Sequence, residues 1–477
     1  MWFLVKTKIL EICRINGFFI EKDALDLALK LEVGEFKELV DKIREKGNEK
    51  VITKGVLADF IGTTREVDII YAPKFLQRKI VMKDFVSYFR SRHNKIKKIL
   101  EEKGFENLTS VRKLSNGSHM VIVSIFKKWA SRSGNIFLEI EDLSGSATVL
   151  IMKSRNLIFN KALNLLEDDI IALNVSYVNE RISVNDLFYP DSSLKERRYS
   201  VAENLAVFCG DLHVGSKFFL EKNFLDFMKW VNGEFGTEEE RELSKKVKYL
   251  FFLGDNVDGV SHFPGQEKFL DEKTPREQYK KFAELVRLIR KDVSIVICPG
   301  QHDSVWVGEP QPAIKRKWAE ELYNMKNVYI VPNPSIVEVD GFKVLMYHGA
   351  SINRFIDEVS EIRTKYGHKF PTKVVAEILK RRHLAPMHGL MDYIPTEDDS
   401  LVIEMVPDIF AVGDQHRADV SIYNNILIIA SSCFQSQTPF EEKMGNISEP
   451  CRVPIFNLKS REIKILNFSG SGDENSN

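Results

Sequence analysis

The chain has 477 residues, 44% of them apolar, and its 68 Lys plus Arg balance 68 Asp plus Glu, so the net charge is zero. That removes whole-molecule attraction to nucleic acid as an argument and leaves only local surfaces for it. The five Cys (Cys13, Cys209, Cys298, Cys433, Cys451) are scattered without a CxxC pair, which speaks against a disulfide framework or a thiolate zinc site.

The length predicts two or three domains. The start, MWFLVKTKILEICR, is broken by Lys6 and Lys8 and lacks the apolar core of a signal peptide. No apolar run reaches the length of a membrane span, so no membrane contact and a soluble, cytoplasmic protein are expected. Residues 1–72 show helical periodicity and read as a small helical domain. Residues 73–104 read as a basic linker helix. From Lys74 to Lys98 it carries Lys74, Arg78, Lys79, Lys83, Arg90, Arg92, Lys95, Lys97 and Lys98 against one acid, Asp84, interleaved with Phe85, Tyr88 and Phe89. Such a helix fits DNA or a partner, and equally a solvated linker. Over 105–198 the pattern changes to five short strands with a helix before the fourth, as in an OB-fold barrel, which binds single strands or docks a protein. From 199 to 468 strands alternate with helix-length segments, an α/β layered pattern. Hairpins are expected at Asp340-Gly341 and Asn424-Asn425. The tail 469–477 is polar and reads as disordered.

Five short segments in fixed order carry the chemistry. They are Asp211-Leu212-His213, Gly254-Asp255-Asn256-Val257-Asp258, Gly300-Gln301-His302-Asp303, Tyr347-His348-Gly349 and Gly413-Asp414-Gln415-His416. Each follows an apolar run that reads as a buried strand. Groups just past strand ends converge at one edge of a sheet. Asp, His and amide oxygens suit two divalent cations, which can clamp a phosphate and supply a hydroxide nucleophile.

These segments resemble the calcineurin-like metallophosphoesterases, whose pattern is D-x-H, G-D-x-x-D, G-N-H-[DE], a lone His, and G-H-x-H. With HLAPMHG (383–389) and SSCFQSQTPFEEKMG (431–445), the resemblance extends to the small subunit of archaeal family D DNA polymerase. It covers roughly 117–468. It implies an α/β (α+β multidomain) chain whose last domain is a two-layered β-sandwich flanked by helices. It also implies a ligand set. Asp211, His213, Asp255 and His416 would hold the first metal, and Gln301, His348 and Asp414 the second, with Asp255 shared. His302 would be the catalytic residue at the leaving oxygen, with Asp303 orienting its ring. Gln301 and Asp414 depart from the pattern, which has Asn and His there. The extra carboxylate points to two Mn²⁺, or Mg²⁺, rather than Zn²⁺.

The activity implied is 3′–5′ proofreading exonuclease on single-stranded or mismatched DNA 3′ ends. The partners implied are the polymerase large catalytic subunit, as a heterodimer, and the sliding clamp. The alternatives are a non-catalytic scaffold subunit and a free-standing phosphodiesterase of small molecules. Phe434 and Phe440, beside uncharged polar residues, read as interface anchors, and Phe434, which follows a strand, equally as a core residue. The basic run around Lys380, Arg381 and Arg382 reads as a DNA-phosphate contact or a solvated face. His262, His368 and His388 read as surface or packing residues.

Overall fold

The computed structural model describes residues 2–29, 33–46, 50–61, 67–75, 78–444 and 447–470. The chain divides into two compact units, Met1–Glu66 with Lys291–Ser294, and the remainder. In the first, helices Trp2–Ile15, Lys22–Ala28, Val33–Lys46 and Lys54–Ile61 join two short parallel strands, β1 (Phe19–Ile20) and β2 (Val51–Ile52). Their apolar positions recur at helical spacing, and Ile9, Cys13, Phe36, Val40 and Leu57 meet in one core.

The second unit opens with β3 (Asp68–Tyr71), placed by sequence periodicity with the helical segment. It pairs instead, antiparallel, with a strand that lies more than 260 residues on. The helix Met82–Glu101 follows, and part of its basic face is committed within the fold, while Lys83, Arg90 and Lys98 are exposed. Arg92 Nε donates to Asp399 (2.7 Å) and Lys95 pairs with Asp398 and Glu404, and Arg78, ahead of the helix, pairs with Asp84. The basic run at the end of helix Pro371–Arg381 is also structural. Arg381 Nε donates to buried Asp169 (2.9 Å), and Arg382 donates to the carbonyls of Ile403 and Glu404.

Five strands close a barrel: β4 (Gly117–Ala130), β5 (Ile136–Asp142), β6 (Gly145–Ile151), β7 (Ile170–Val178) and β8 (Arg181–Phe188). Their order is β4-β5-β6-β8-β7, with helix Asn156–Leu163 between β6 and β7. Strand alternation in β4 sends Val121, Val123 and Ile125 inward. Met120 and Ile122 point outward onto Ile96 and Leu100 of the long helix.

Two six-stranded sheets make the rest. The first has order β12-β11-β10-β9-β18-β19, from β9 (Leu205–Cys209), β10 (Val247–Leu253), β11 (Ser294–Cys298), β12 (Val328–Ile330), β18 (Arg452–Asn457) and β19 (Ile463–Asn467). The second has order β16-β17-β15-β14-β13-β3, from β13 (Ser335–Val339), β14 (Phe342–Tyr347), β15 (Ile409–Val412), β16 (Asp419–Tyr423) and β17 (Ile426–Ala430) with β3. The hairpins β13–β14 and β16–β17 turn at Asp340-Gly341 and Asn424-Asn425 as expected. Phe208, Phe251 and Cys298 from the first sheet meet Val344, Met346 and Ala411 from the second in one core. Helices Glu221–Val231 and Pro275–Val286 send Phe224 and Phe282 onto Phe252, on the outer face of the first sheet. Helices Ala350–Glu358 and Pro371–Arg381 cover the second. β9 and β10 run parallel, as do β14 and β15, so their carboxyl ends open at a common edge of each sheet.

Phe434 is a core residue. It is buried against Phe224 and Phe227, at 5.1 and 5.8 Å between ring centroids, which removes it as an interface anchor. The Phe440 side chain and the tail after Gly470 lie outside the described residues. All five Cys are buried and unbridged. Among the described residues no helix is long and apolar enough to cross a membrane.

Candidate metal centre

All five motif segments follow directly on the carboxyl ends of β9, β10, β11, β14 and β15. Buried strands end there, and the chain must turn at once to place polar groups over the edge. Asp211, His213, Asp255, Asp414 and His416 all have left-handed backbone, with φ of 52°, 52°, 46°, 64° and 49°. Each such turn costs an L residue about 1–3 kcal/mol and persists where surrounding contacts over-determine it. Those contacts are present. Asp414 N donates to both carboxylate oxygens of Asp211 (3.1 and 3.0 Å), and His302 N donates to Asp255 Oδ1 (2.8 Å). Gly300 is required by space, because a Cβ there would overlap Asp255 and the His348 ring.

The donor atoms converge without bonding to one another. His348 Nε2 lies 3.4 Å from Asp255 Oδ2 and 3.7 Å from Asp414 Oδ1. His213 Nε2 is 3.9 Å from the same Asp255 Oδ2, and His416 Nε2 is 3.7 Å from Asp211 Oδ1. Both His213 Nε2 and His348 Nε2 are buried with no hydrogen-bond partner among the described residues. Ligand atoms that share one cation sit about 3–3.5 Å apart when each bond is about 2.1 Å. Three groupings bring one ligand atom from each residue within 4.8 Å of one another, slightly wider than that spacing: Asp211–His213–His416, His213–Asp255–His302 and Asp211–Asp255–His348. The donor types suit divalent cations, and Asp255 is shared by two of the groupings.

The electrostatics agree. Burial pushes the Asp211 carboxyl up to about 7 and Asp414 up to about 6, and the nearby Asp255 adds to both. Asp255 itself is held well below the usual range. Burial opposes this, but His348 and His302 outweigh it. An excess of buried carboxylate is what a bound cation would neutralise.

The far side of each imidazole is fixed. His348 Nδ1 donates to the Leu253 carbonyl (2.8 Å) and His213 Nδ1 meets Asp258 Oδ1 (3.1 Å). Asp258 is in turn held by Gln266 Nε2 (3.0 Å) and Gln435 Nε2 (3.3 Å). Sequence reasoning gave Asp258 no role, although it is the second Asp of the G-D-x-x-D pattern. Gln435 lies in the QSQTPF segment and so supports the site. Such outer partners fix the ring and its tautomer. Asp258→Ala should therefore weaken binding of the first cation by about 10- to 100-fold, read by Mn²⁺ equilibrium dialysis.

His302 needs a correction. Its Nδ1 donates to the Asp258 carbonyl (2.9 Å), so Asp303 does not orient the ring. Asp303 instead accepts from Gly300 N, Asn256 N and Nδ2, and the Tyr279 hydroxyl. It fastens the loop that carries Gln301 and His302. His262, expected on the surface, is exposed, but its ring lies 4.5 Å from the His302 ring. His388 packs its ring near Phe89 and Tyr393, and His368 is exposed beside Asn353.

Residues 206–420 match the family model that describes the B subunits of DNA polymerases alpha and epsilon. The DNA polymerase II small subunit of Methanothermobacter thermautotrophicus is 35% identical over 394 residues, covering 81% of this chain and 79% of the relative. That of Pyrococcus furiosus is 33% identical over 401 residues, and there the chain spans 65% of the relative's length. That of Archaeoglobus fulgidus is 31% identical over 465 residues, covering 95% and 90%. The chain belongs to the family of archaeal DNA polymerase II small subunits.

Proposed function

We propose that this member of the polymerase small-subunit family is a dinuclear phosphodiesterase that trims DNA 3′ ends beside a polymerase large catalytic subunit. The observation that carries the reading is the pair of buried, unpartnered imidazole nitrogens, His213 Nε2 and His348 Nε2, facing one carboxylate oxygen of Asp255. Asp211, His213, Asp255 and His416 would hold one cation, and Asp255, Gln301, His348 and Asp414 the other. When bound, the two cations neutralise phosphate charge and activate a water. Three carboxylates in the set favour Mn²⁺ or Mg²⁺.

The remaining work falls to His302. A carbonyl only accepts, so its Nδ1 carries the hydrogen and Nε2 is left for the substrate. Burial works against the charged ring, but Asp255 raises the His302 pKa above its ordinary value. The ring is thus suited to give a proton to the leaving oxygen. We read the barrel as an OB-type docking platform, and the exposed Phe126, Trp129 and Leu143 on it suit a protein partner.

His302→Ala tests the reading. It should slow Mn²⁺-dependent digestion of single-stranded DNA by about 10²- to 10⁴-fold and leave bound Mn²⁺ unchanged. Undiminished digestion would remove His302 from the chemistry.

A further inference from the structure

We infer that Gln301, Asp414 and Asn353 form one coupled unit that fixes the second cation position, with Asn353 as its positioning residue. The inference rests on the dinuclear reading above. Two positions of the chain depart from the phosphoesterase pattern, and they touch. Gln301 Nε2 donates to Asp414 Oδ1 at 3.1 Å. Gln is one methylene longer than the usual Asn, and Asp is shorter than the usual His. The reach lost at 414 is regained at 301.

Asp414 is tethered at every polar atom that sets its direction. Its backbone N–H is anchored on Asp211. Oδ1 accepts from Gln301, and Oδ2 accepts from Asn353 Nδ2 at 2.9 Å and, more weakly, from Gln415 Nε2 at 3.4 Å. A carboxylate only accepts, so the Asn353 amide must turn its nitrogen to Asp414, and its oxygen then faces His368 Nδ1 at 3.2 Å. Asn353 stands on the helix Ala350–Glu358, which begins two residues after His348. One short stretch therefore carries both the His348 imidazole and the group that aims Asp414, whose Oδ1 is held 3.7 Å from His348 Nε2. A free Asp in place of His would have several rotamers. The amides of Gln301 and Asn353, with a longer contact from Gln415, select the one that faces the imidazole.

Mn²⁺ equilibrium dialysis and electron paramagnetic resonance on the full chain test this. Wild type should bind two Mn²⁺ and give the spectrum of a spin-coupled pair. Asn353→Ala should weaken the second ion by about 10- to 100-fold, spare the first, and replace the coupled signal by a mononuclear one at the Mn²⁺ concentration that saturates wild type. In an Asp414→Ala background, Asn353→Ala should change nothing further, because it acts through that carboxylate. Gln301→Asn and Asp414→His should each weaken the second ion, and the two together should restore it. Equal weakening of both ions by Asn353→Ala, a further loss in the Asp414→Ala background, or no recovery in the exchanged pair would overturn the inference. Fewer than two Mn²⁺ on wild type would overturn the dinuclear reading itself.

Discussion

Asp255→Asn should bind neither cation firmly and should lose phosphodiester hydrolysis by roughly four orders of magnitude or more, the scale on which removal of a central catalytic group is felt. The reason is position. Asp255 Oδ2 is the one oxygen faced by both unpartnered imidazoles, at 3.4 and 3.9 Å. An amide offers a single neutral oxygen there and cannot bridge two cations. The substitution keeps the shape and an acceptor for His302 N–H, so circular dichroism and the melting transition of the metal-free chain should match wild type. A variant that folded, lost Mn²⁺ and still digested DNA would show that the nuclease is a contaminant.

The second large effect is on stability. Asp399 is fully buried and accepts from Arg92 Nε (2.7 Å) and Leu401 N (3.0 Å). His383 Nε2 lies 3.0 Å away. His383 Nδ1 accepts from Ala385 N, so Nε2 carries the hydrogen and donates to Asp399. Asp399→Ala leaves the buried Arg92 guanidinium without its carboxylate partner and should cost about 3–5 kcal/mol, measured by urea unfolding of the full chain. Burial pushes the Asp399 carboxyl upward, but Arg92 and His383 together hold it well below the usual range. The folded pKa is depressed, so the stabilisation is fully present above the ordinary value of about 3.9. It is lost as pH falls below that value. In Asp399→Ala this acid-sensitive part of the unfolding free energy should be missing.

The site was legible in sequence wherever a buried strand ends. LAVFC, YLFFL and IVIC are uninterrupted apolar runs because both faces of those strands are covered, and a Gly lies between each run and its polar residues. The hairpins were legible because Asp340-Gly341 and Asn424-Asn425 supply the left-handed turns that they need. What was hidden depends on contacts distant in sequence. β3 is four residues long, and its strand character comes from pairing with β13. Arg92, Arg381 and Arg382 belong to basic runs, and the buried acceptors that claim them lie 21 to more than 300 residues away. Asp258, Asn353 and Gln435 support the site through side-chain contacts between segments 45 to 177 residues apart. The role expected of Asp303 failed for the same reason, since a backbone carbonyl reached His302 first.

The most direct test of proofreading gives the purified chain, with Mn²⁺, a primer–template bearing a mismatched 3′ end labelled at its 5′ terminus. The primer should shorten stepwise from the 3′ end, and shortening should stop on adding a chelator. A primer left intact by a chain that holds two Mn²⁺ would contradict proofreading by this chain, and would make this small subunit a scaffold around an idle metal centre.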